Sequence, residues 1–395
     1  MKRKRFLAAT AALVGTAASP ALAAGVSLPF ASGERTLAAY PQKRQLIVLT
    51  SRPVQLETPA AIFDAGEFTP NDAFFVRWHL PEVPTHIDPA AFRLKVRGAV
   101  TSPLTLGLDD LRTKFEAVEV NAVLECAGNS RGFSAPRVPG GQWANGAMGN
   151  ARWRGARLRD ILARSYPRAD AAQVRFQDAE RPALPTTPEF LKSLDVAVVN
   201  DPNVIVAYEM NGADLPVLNG FPVRLVVPGY FGTYWVKALN DIEVLTEPDQ
   251  NYWMKTAYRV PATPNNSVAP TDTGFATVPI TNLTVRSFIT NLTDGGSIGA
   301  GRTTIRGIAF DGGTGIRSVG ISTDGGTTWR DADLGEDLGK FSFRRWTATF
   351  DARSGGRYVL ASRATSNGGE QQVNRWNPSG YARNAVENVT VTVKS

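Results

Sequence analysis

Three short segments of this 395-residue chain gather residue types that can do chemistry. Its one cysteine, Cys126, sits in Val-Leu-Glu-Cys-Ala-Gly-Asn-Ser-Arg (123–131), where an apolar, strand-like run meets a turn of small residues. Small residues let backbone come close to a bound group, and Arg131 could lower a thiol pKa or hold an anion. The residues alone leave two readings of Cys126, a buried inert thiol or a thiolate for a soft metal. The second segment is Phe-Phe-Val-Arg-Trp-His (74–79). On a strand, Arg77 and His79 would share one face, which makes either an anion pocket or a solvated edge. The third runs from Gly-Phe-Pro-Val-Arg (220–224) through Pro-Gly-Tyr-Phe-Gly-Thr-Tyr-Trp-Val-Lys (228–237). A strand, a glycine turn and basic residues on both sides could hold a phosphate on backbone N–H groups, Arg224 and Lys237, although glycine turns between strands are common.

Composition narrows the classes. The first 24 residues show a basic start (Lys2 to Arg5 all Lys or Arg), a small-residue apolar stretch and Ala21-Leu22-Ala23 as a cleavage site. That order reads as an export signal, and the run is too short and alanine-rich for a membrane span. Arg3-Lys4-Arg5-Phe6-Leu7 approaches a twin-arginine motif, so export as a folded protein to the periplasm is expected. The chain holds 43 Lys+Arg against 36 Asp+Glu; without the leader's four basic residues, 39 remain, a net +3. That is too weak for a nucleic-acid footprint, and no later segment reads as a membrane span. One cysteine excludes an internal disulfide, a C-x-x-C-H haem attachment and cysteine-based zinc sites, and two histidines exclude His-rich metal sites.

The elements that must carry these segments follow from periodicity. Residues 25–60 read as an irregular arm. Between about 61 and 260, apolar runs at 204–207 and 223–227 predict strands, while 108–114, 158–165 and 188–194 predict short helices. There is no regular strand–helix alternation, so the class is α+β. Residues 261–277, within a stretch rich in Pro, Asn and Thr, read as a connector. From 278 to 395 short alternating segments (303–308, 316–322, 345–350, 358–363, 389–393) are separated by Gly/Asp/Asn turns, the pattern of an immunoglobulin-like β-sandwich.

Taken together, the motifs resemble the sulfite oxidase family of molybdopterin enzymes, over about four fifths of the chain. The resemblance rests on Cys-Ala-Gly-Asn-x-Arg (126–131), Ala-Tyr-Glu-Met-Asn-Gly (207–212), Gly-Phe-Pro-Val-Arg with Val-Val-Pro-Gly (226–229), and Ser-Thr-Asp-Gly-Gly-x-Thr-Trp (322–329). Trp-Met-Lys-Thr-Ala-Tyr (253–258) and Trp-Asn-Pro-Ser-Gly-Tyr (376–381) resemble the bacterial periplasmic sulfite dehydrogenases within it. The implied architecture is α+β: a sulfite-oxidase-type molybdopterin-binding catalytic domain (61–260) followed by an immunoglobulin-like dimerisation domain (278–395). The resemblance implies one molybdenum–molybdopterin per chain, no haem, and Cys126 as the one protein ligand of the metal. It implies a substrate pocket of Arg77, His79, Arg131, Trp143 and Tyr258, and cofactor contacts from Arg224, Lys237, Asp178, Asn219 and His79.

The chain departs from the family in two places. Asn219 stands where animal enzymes have a pterin-contacting histidine, and Ser379 falls where animal and plant enzymes place another pocket arginine. No cytochrome b5 segment precedes the catalytic part, so electrons are expected to leave to an external cytochrome c. The expected reaction is oxidation of sulfite to sulfate by a periplasmic homodimer, with Arg77 and Arg131 gripping the oxyanion. Tyr258 would aid product release, and His79, partly charged near neutral pH, would make rates pH-dependent. Two alternatives differ in class: a sulfane dehydrogenase acting on protein-bound sulfur, and a non-enzymatic exported binding protein.

Overall fold

The computed structural model describes residues 25–28 and 33–394; the leader expected at 1–24 lies outside them. Among the described residues no helix is long and apolar enough to cross a membrane.

The arm is not irregular. Gly25–Ser27, Glu34–Ala38, Leu46–Ser51 and Val54–Glu57 are consecutive antiparallel strands. The last pairs with Val76–Arg77, setting Gln55 opposite Arg77. Most residues of the first two strands are exposed or half-buried, so they carry no apolar alternation to read. Leu46 and Leu56 seal this sheet by packing with Val76, Trp78, Leu218 and Ala238.

The central unit contains two further sheets. One has the order Leu191–Asp195, Gln173–Gln177, Asp241–Leu245, Leu94–Gly98, Leu104–Leu106, with a parallel pairing of Asp241–Leu245 on Leu94–Gly98. The other orders Ala213–Asp214, Ile205–Met210, Met148–Arg157 and Ala117–Glu125, with Arg224–Val226 also pairing on Ile205–Met210. Helices Leu108–Thr113 and Leu158–Ala163 occur where periodicity places them. The helix expected at 188–194 is instead the strand Leu191–Asp195. Pairing with Gln173–Gln177 gives its backbone a ladder, which outweighs the local helix signal. The expected strand over 74–79 shrinks to Val76–Arg77.

The long hairpin of the second sheet positions the chemistry. Ala117–Glu125 and Met148–Arg157 run antiparallel without a break until Glu125 meets Met148. The amide of Cys126 donates to Ala147 O at 2.9 Å, extending the ladder one step. Residues 126–147 are therefore a loop closed at its base by two strands with buried residues, Val123 and Ala151 among them.

The C-terminal unit is a sandwich of a four-stranded sheet (Arg286–Ile289, Gly301–Phe310, Arg344–Ala352, Asp333–Leu334) and a five-stranded one (Gly296–Ile298, Asn388–Val393, Arg357–Ser366, Ile316–Ser322, Arg330–Asp331). Trp346, Leu360, Val319 and Val391 fill its interior. The largest apolar cluster crosses between units: Phe288, Ile308, Phe310 and Phe343 of the sandwich pack in it with Phe63 and Trp153.

Candidate active site

The wall of one cleft brings together seven of the ten residues singled out from sequence: Arg77, His79, Cys126, Asn219, Arg224, Lys237 and Tyr258. They arrive from separate places. Arg77 rides the short strand held by the arm, and Cys126 leaves the hairpin. Asn219 closes the 3-10 turn Val217–Asn219. Tyr258 follows the helix Tyr252–Lys255, whose N-cap Asn251 accepts the Trp253 amide at 2.8 Å. Tyr258 has φ +56°, a left-handed conformation rare for a bulky residue and characteristic of constrained sites. The Ile280 amide holds it by donating to Tyr258 O at 2.9 Å.

Around the thiol, charge and hydrogen bonding are ordered by burial. The Tyr258 hydroxyl lies 2.8 Å from His79 Nε2, and His79 Nδ1 lies 3.2 Å from Glu180 Oε1. Glu180 Oε2 also accepts the backbone amides of His79 (2.8 Å) and Leu80 (2.6 Å). Burial opposes ionisation of Glu180, but the His79 contact, Lys237 and the Leu80 amide outweigh it and hold the carboxyl below its usual range. His79 is pushed well below its ordinary value by burial and by the Arg77 charge, and its ring stacks on Phe190 at 3.5 Å between centroids. The expected partial charge on His79 near neutral pH is therefore corrected: the imidazole is neutral because its surroundings cannot solvate a cation. One tautomer satisfies every partner, with Nδ1–H donated to Glu180 and Nε2 accepting the Tyr258 O–H. Burial also pushes the Tyr258 phenol up, so it remains a donor.

The other basic groups of the cleft have few partners. Arg224 donates to Asn219 O (3.0 Å) and Trp235 O (2.9 Å), and its Nε has no partner. Burial lowers Arg224 to about 9 and Lys237 to about 8. Lys237 lies over the Trp78 ring at 4.5 Å. Arg77 Nη1 and Thr233 Oγ1 are buried without hydrogen-bond partners among the described residues, and Thr233 also lines the cleft. Asn219 is braced from behind by Lys43 of the arm, whose ammonium donates to Asn219 Oδ1, Asn71 O and Phe74 O, while Asn219 Nδ2 donates to Phe75 O at 3.0 Å. Burial lowers Lys43, behind the Asn219 amide, to about 7.

The remaining three expected residues do not form the wall of this cleft. Arg131 is buried in a slot where a Cβ on Gly128 or Gly140 would come within 2.7 Å of its guanidinium and displace it, and Gly140, at φ +108°, adopts a backbone conformation that favours glycine. It donates to Ser379 O at 3.0 Å and Gly141 O at 3.3 Å and lies over the Tyr381 ring at 4.9 Å. Tyr381 in turn stacks on Tyr258, with centroids 5.4 Å apart. Trp143 is buried in the same apolar cluster as Phe75, Leu124, Ala127 and Tyr258, which line the cleft. Asp178 is fully buried behind the cleft; burial and the Glu180 charge hold it well above the carboxylate range. Its Oδ2 has no partner. Glu180, Lys43, Thr233 and Tyr381 escape sequence reasoning. Glu180 and Lys43 act through contacts 101 and 176 residues away, and no local spacing announces them.

These residues fit a molybdopterin. Among the described residues no cluster of His, Cys, Asp and Glu could hold a bare metal ion, so a metal on Cys126 must bring other donors with it. Among the described residues, buried Arg224, Lys237 and Arg77 have no carboxylate partner in hydrogen-bond contact, and the cost of such desolvated cations is offset when an anionic group enters. Unpartnered Arg77 Nη1, Arg224 Nε and Thr233 Oγ1 are donors ready for it.

Comparison with known proteins agrees with this arrangement. Residues 79–253 match the oxidoreductase molybdopterin binding domain and residues 277–392 the Mo-co oxidoreductase dimerisation domain. The chain is 39% identical to mitochondrial sulfite oxidase of Mus musculus over 73% of this chain and 53% of that protein. It is 33% identical to sulfite oxidase of Gallus gallus (82% and 72% covered) and 32% identical to that of Arabidopsis thaliana (76% and 78%). The chain spans about half the length of the mouse and rat enzymes. The sulfane dehydrogenase SoxCD of Paracoccus pantotrophus has the same fold, with TM-score 0.76 at 24% identity, covering 87% of this chain and 85% of that one.

Proposed function

We propose that this chain, which belongs to the sulfite oxidase family of molybdopterin-binding oxidoreductases, oxidises a sulfur-centred substrate at a molybdenum atom held through Cys126. The observation that carries the reading is the placement of Cys126, Arg77 and Tyr258 on one wall with the buried cations Arg224 and Lys237. When bound, the cofactor supplies two-electron oxidation with oxygen transfer to sulfur. The protein supplies the rest. Arg77 offers a free N–H to a substrate oxyanion, and Tyr258, held by His79 and Glu180, presents a protonated hydroxyl beside the thiol. Arg224, Lys237 and Thr233 hold the anionic end of the cofactor, while Asp178, kept as a neutral acid, has an oxygen left for a further contact. Electrons leave to a separate acceptor, a cytochrome c in the periplasm, from a homodimer formed through the sandwich.

Two sulfur substrates compete for this site. The motifs, and the sulfite oxidases among the relatives, point to free sulfite. One solved neighbour of the same fold is a sulfane dehydrogenase, and the cleft adds an argument of its own. Arg131 gives two of its N–H groups to Ser379 O and Gly141 O and is not on the cleft wall, and the Ser379 hydroxyl donates to Arg259 O at 3.2 Å. Arg77 is left as the guanidinium beside Cys126, a thin complement for a small dianion and adequate for a less charged sulfur presented on a carrier. We therefore place the carrier-bound sulfane first and sulfite second, reversing the order that the motifs alone suggest. The test is metal analysis of protein made in a cofactor-competent host, with cytochrome c reduction assayed on sulfite and on a thiol-bound sulfane carrier. Molybdenum with faster turnover of the carrier supports the first order; faster sulfite turnover restores the second. Protein without molybdenum from such a host overturns the reading.

A further inference from the structure

We infer that Arg286, contributed by the C-terminal sandwich, is a positioning residue for the loop that carries Cys126 and Arg131, so that the second domain is part of the metal site's construction. Arg286 opens the strand Arg286–Ile289 and is 1% exposed. Its Nη1 donates to Glu125 Oε1 at 2.7 Å and its Nη2 to Ser130 Oγ at 2.8 Å. Glu125 immediately precedes Cys126, and Ser130 immediately precedes Arg131. One guanidinium therefore grips both ends of the short loop between Cys126 and the buried Arg131. A planar fork fixes the separation of the groups it binds, and here those groups are the two ends of that loop.

The remaining partners close the arrangement from both domains. Nη2 also reaches Asn145 Oδ1 and Glu387 Oε1, each at 3.3 Å. Asn129 Nδ2 donates to Glu125 Oε1 at 3.0 Å, and Asn129 Oδ1 accepts the Ala147 amide at 3.0 Å. Asn145 Nδ2 donates to Glu387 Oε2 at 2.6 Å. Ser130 has φ +65°, a conformation its own side chain does not favour; the Arg286 contact to its hydroxyl is one of the bonds that holds it. A lysine at 286 would keep the charge beside Glu125 but cannot span both anchors.

That the loop serves a metal rests on the proposed function, but its geometry can be read without the metal. Because the chain has one cysteine, alkylation by iodoacetamide reports Cys126 alone. We would measure its rate on folded, cofactor-free full-length chain for the parent, Arg286→Lys, Ser130→Ala and, as a control, Leu360→Ala in the sandwich core. Expected are labelling rates about tenfold faster in Arg286→Lys and raised in Ser130→Ala, with Leu360→Ala labelling at the parent rate despite a lower melting temperature. On the loaded enzyme, Arg286→Lys should lower kcat more than it raises KM and should shed molybdenum on gel filtration. If Arg286→Lys and Ser130→Ala label at the parent rate, or if all variants speed up in step with lost stability, the inference is overturned. Should Arg286→Lys not fold, Ser130→Ala alone decides between the same outcomes. A chain that holds no molybdenum but shows the labelling difference would sink the proposed function and leave the positioning role standing.

Discussion

Each residue of the cleft is set by what burial forbids. Cys126 is the one thiol in the chain, so Cys126→Ser should lower turnover by on the order of 100-fold or more, serine oxygen being a poor substitute for a thiolate on a soft metal. Steady-state rates at matched molybdenum content check this, and parental activity would remove the ligand role. Tyr258 donates to a histidine whose other nitrogen is committed to Glu180, so Tyr258→Phe removes a fixed donor without adding a charge. We expect kcat/KM to fall roughly tenfold, mainly in kcat. His79 supplies the sharper test. Held well below its ordinary value by burial and Arg77, it does not gain a proton between about pH 6 and 8, where an unperturbed imidazole would titrate. The pH profile of kcat/KM should therefore show no step in that window that His79→Asn abolishes. A step near 6.5 that disappears in the variant would mean the imidazole is solvated and the tautomer assigned to it is wrong.

At the scale of elements, the arm is a working part of the site. Glu57 ends the arm's last full strand and fastens it to the loop after Trp143, accepting the Gly146 amide at 2.9 Å and the Ala144 amide at 3.1 Å. Burial pushes its carboxyl up to about 7, against the two amide bonds and the Arg35 charge that pull it down. Below the unfolded value near 4.5 both states hold the proton and stability is complete. As pH rises towards 7 the unfolded chain ionises first, so stability falls, and above 7 the loss is complete at about 3 kcal/mol. Glu57→Gln should flatten that decline: the difference in unfolding free energy between parent and variant should shift by about 3 kcal/mol between pH 4 and 8, in the variant's favour at high pH. Urea titrations at both pH values measure it, and parallel curves would mean that Glu57 is solvated. None of this is visible in sequence, for a physical reason. Asn388–Val393 and Ile316–Ser322 are legible because one face of each is buried by neighbours and alternation results. The arm's strands are covered so thinly that their pairing leaves no apolar period. Leu191–Asp195 is a strand because Gln173–Gln177 lies beside it, which local propensity cannot express. Cys126, Arg77 and Tyr258 stand out through their motifs. Glu180, Lys43 and Arg286 matter through long-range contacts that no local spacing announces.

The contacts between the units predict one cooperative body even though residues 79–253 and 277–392 match separate family models. Phe288, Ile308, Phe310 and Phe343 of the sandwich are buried in the cluster that includes Phe63 and Trp153; burying side chains of this size contributes roughly 1.5–3 kcal/mol apiece. Arg286 spans the boundary with both neighbours of its fork fully desolvated, and breaking such a buried pair costs about 3–5 kcal/mol. Arg306 adds an ion pair to Asp64 at 2.7 Å and Arg345 one to Glu67 at 3.2 Å, both partly solvated and of little weight in salt. A central unit cut from its sandwich would expose that apolar face and leave Glu125 without its guanidinium, so it should not hold the Cys126 loop in place. The full chain should therefore melt in one calorimetric transition, with van't Hoff and calorimetric enthalpies in agreement. A chain ending at residue 276 should aggregate or melt without a cooperative peak. Two separate transitions in the full chain, or a truncated chain that melts sharply and labels at Cys126 as slowly as the parent, would show that the sandwich is an independent module and that the boundary contacts carry little of the site's order.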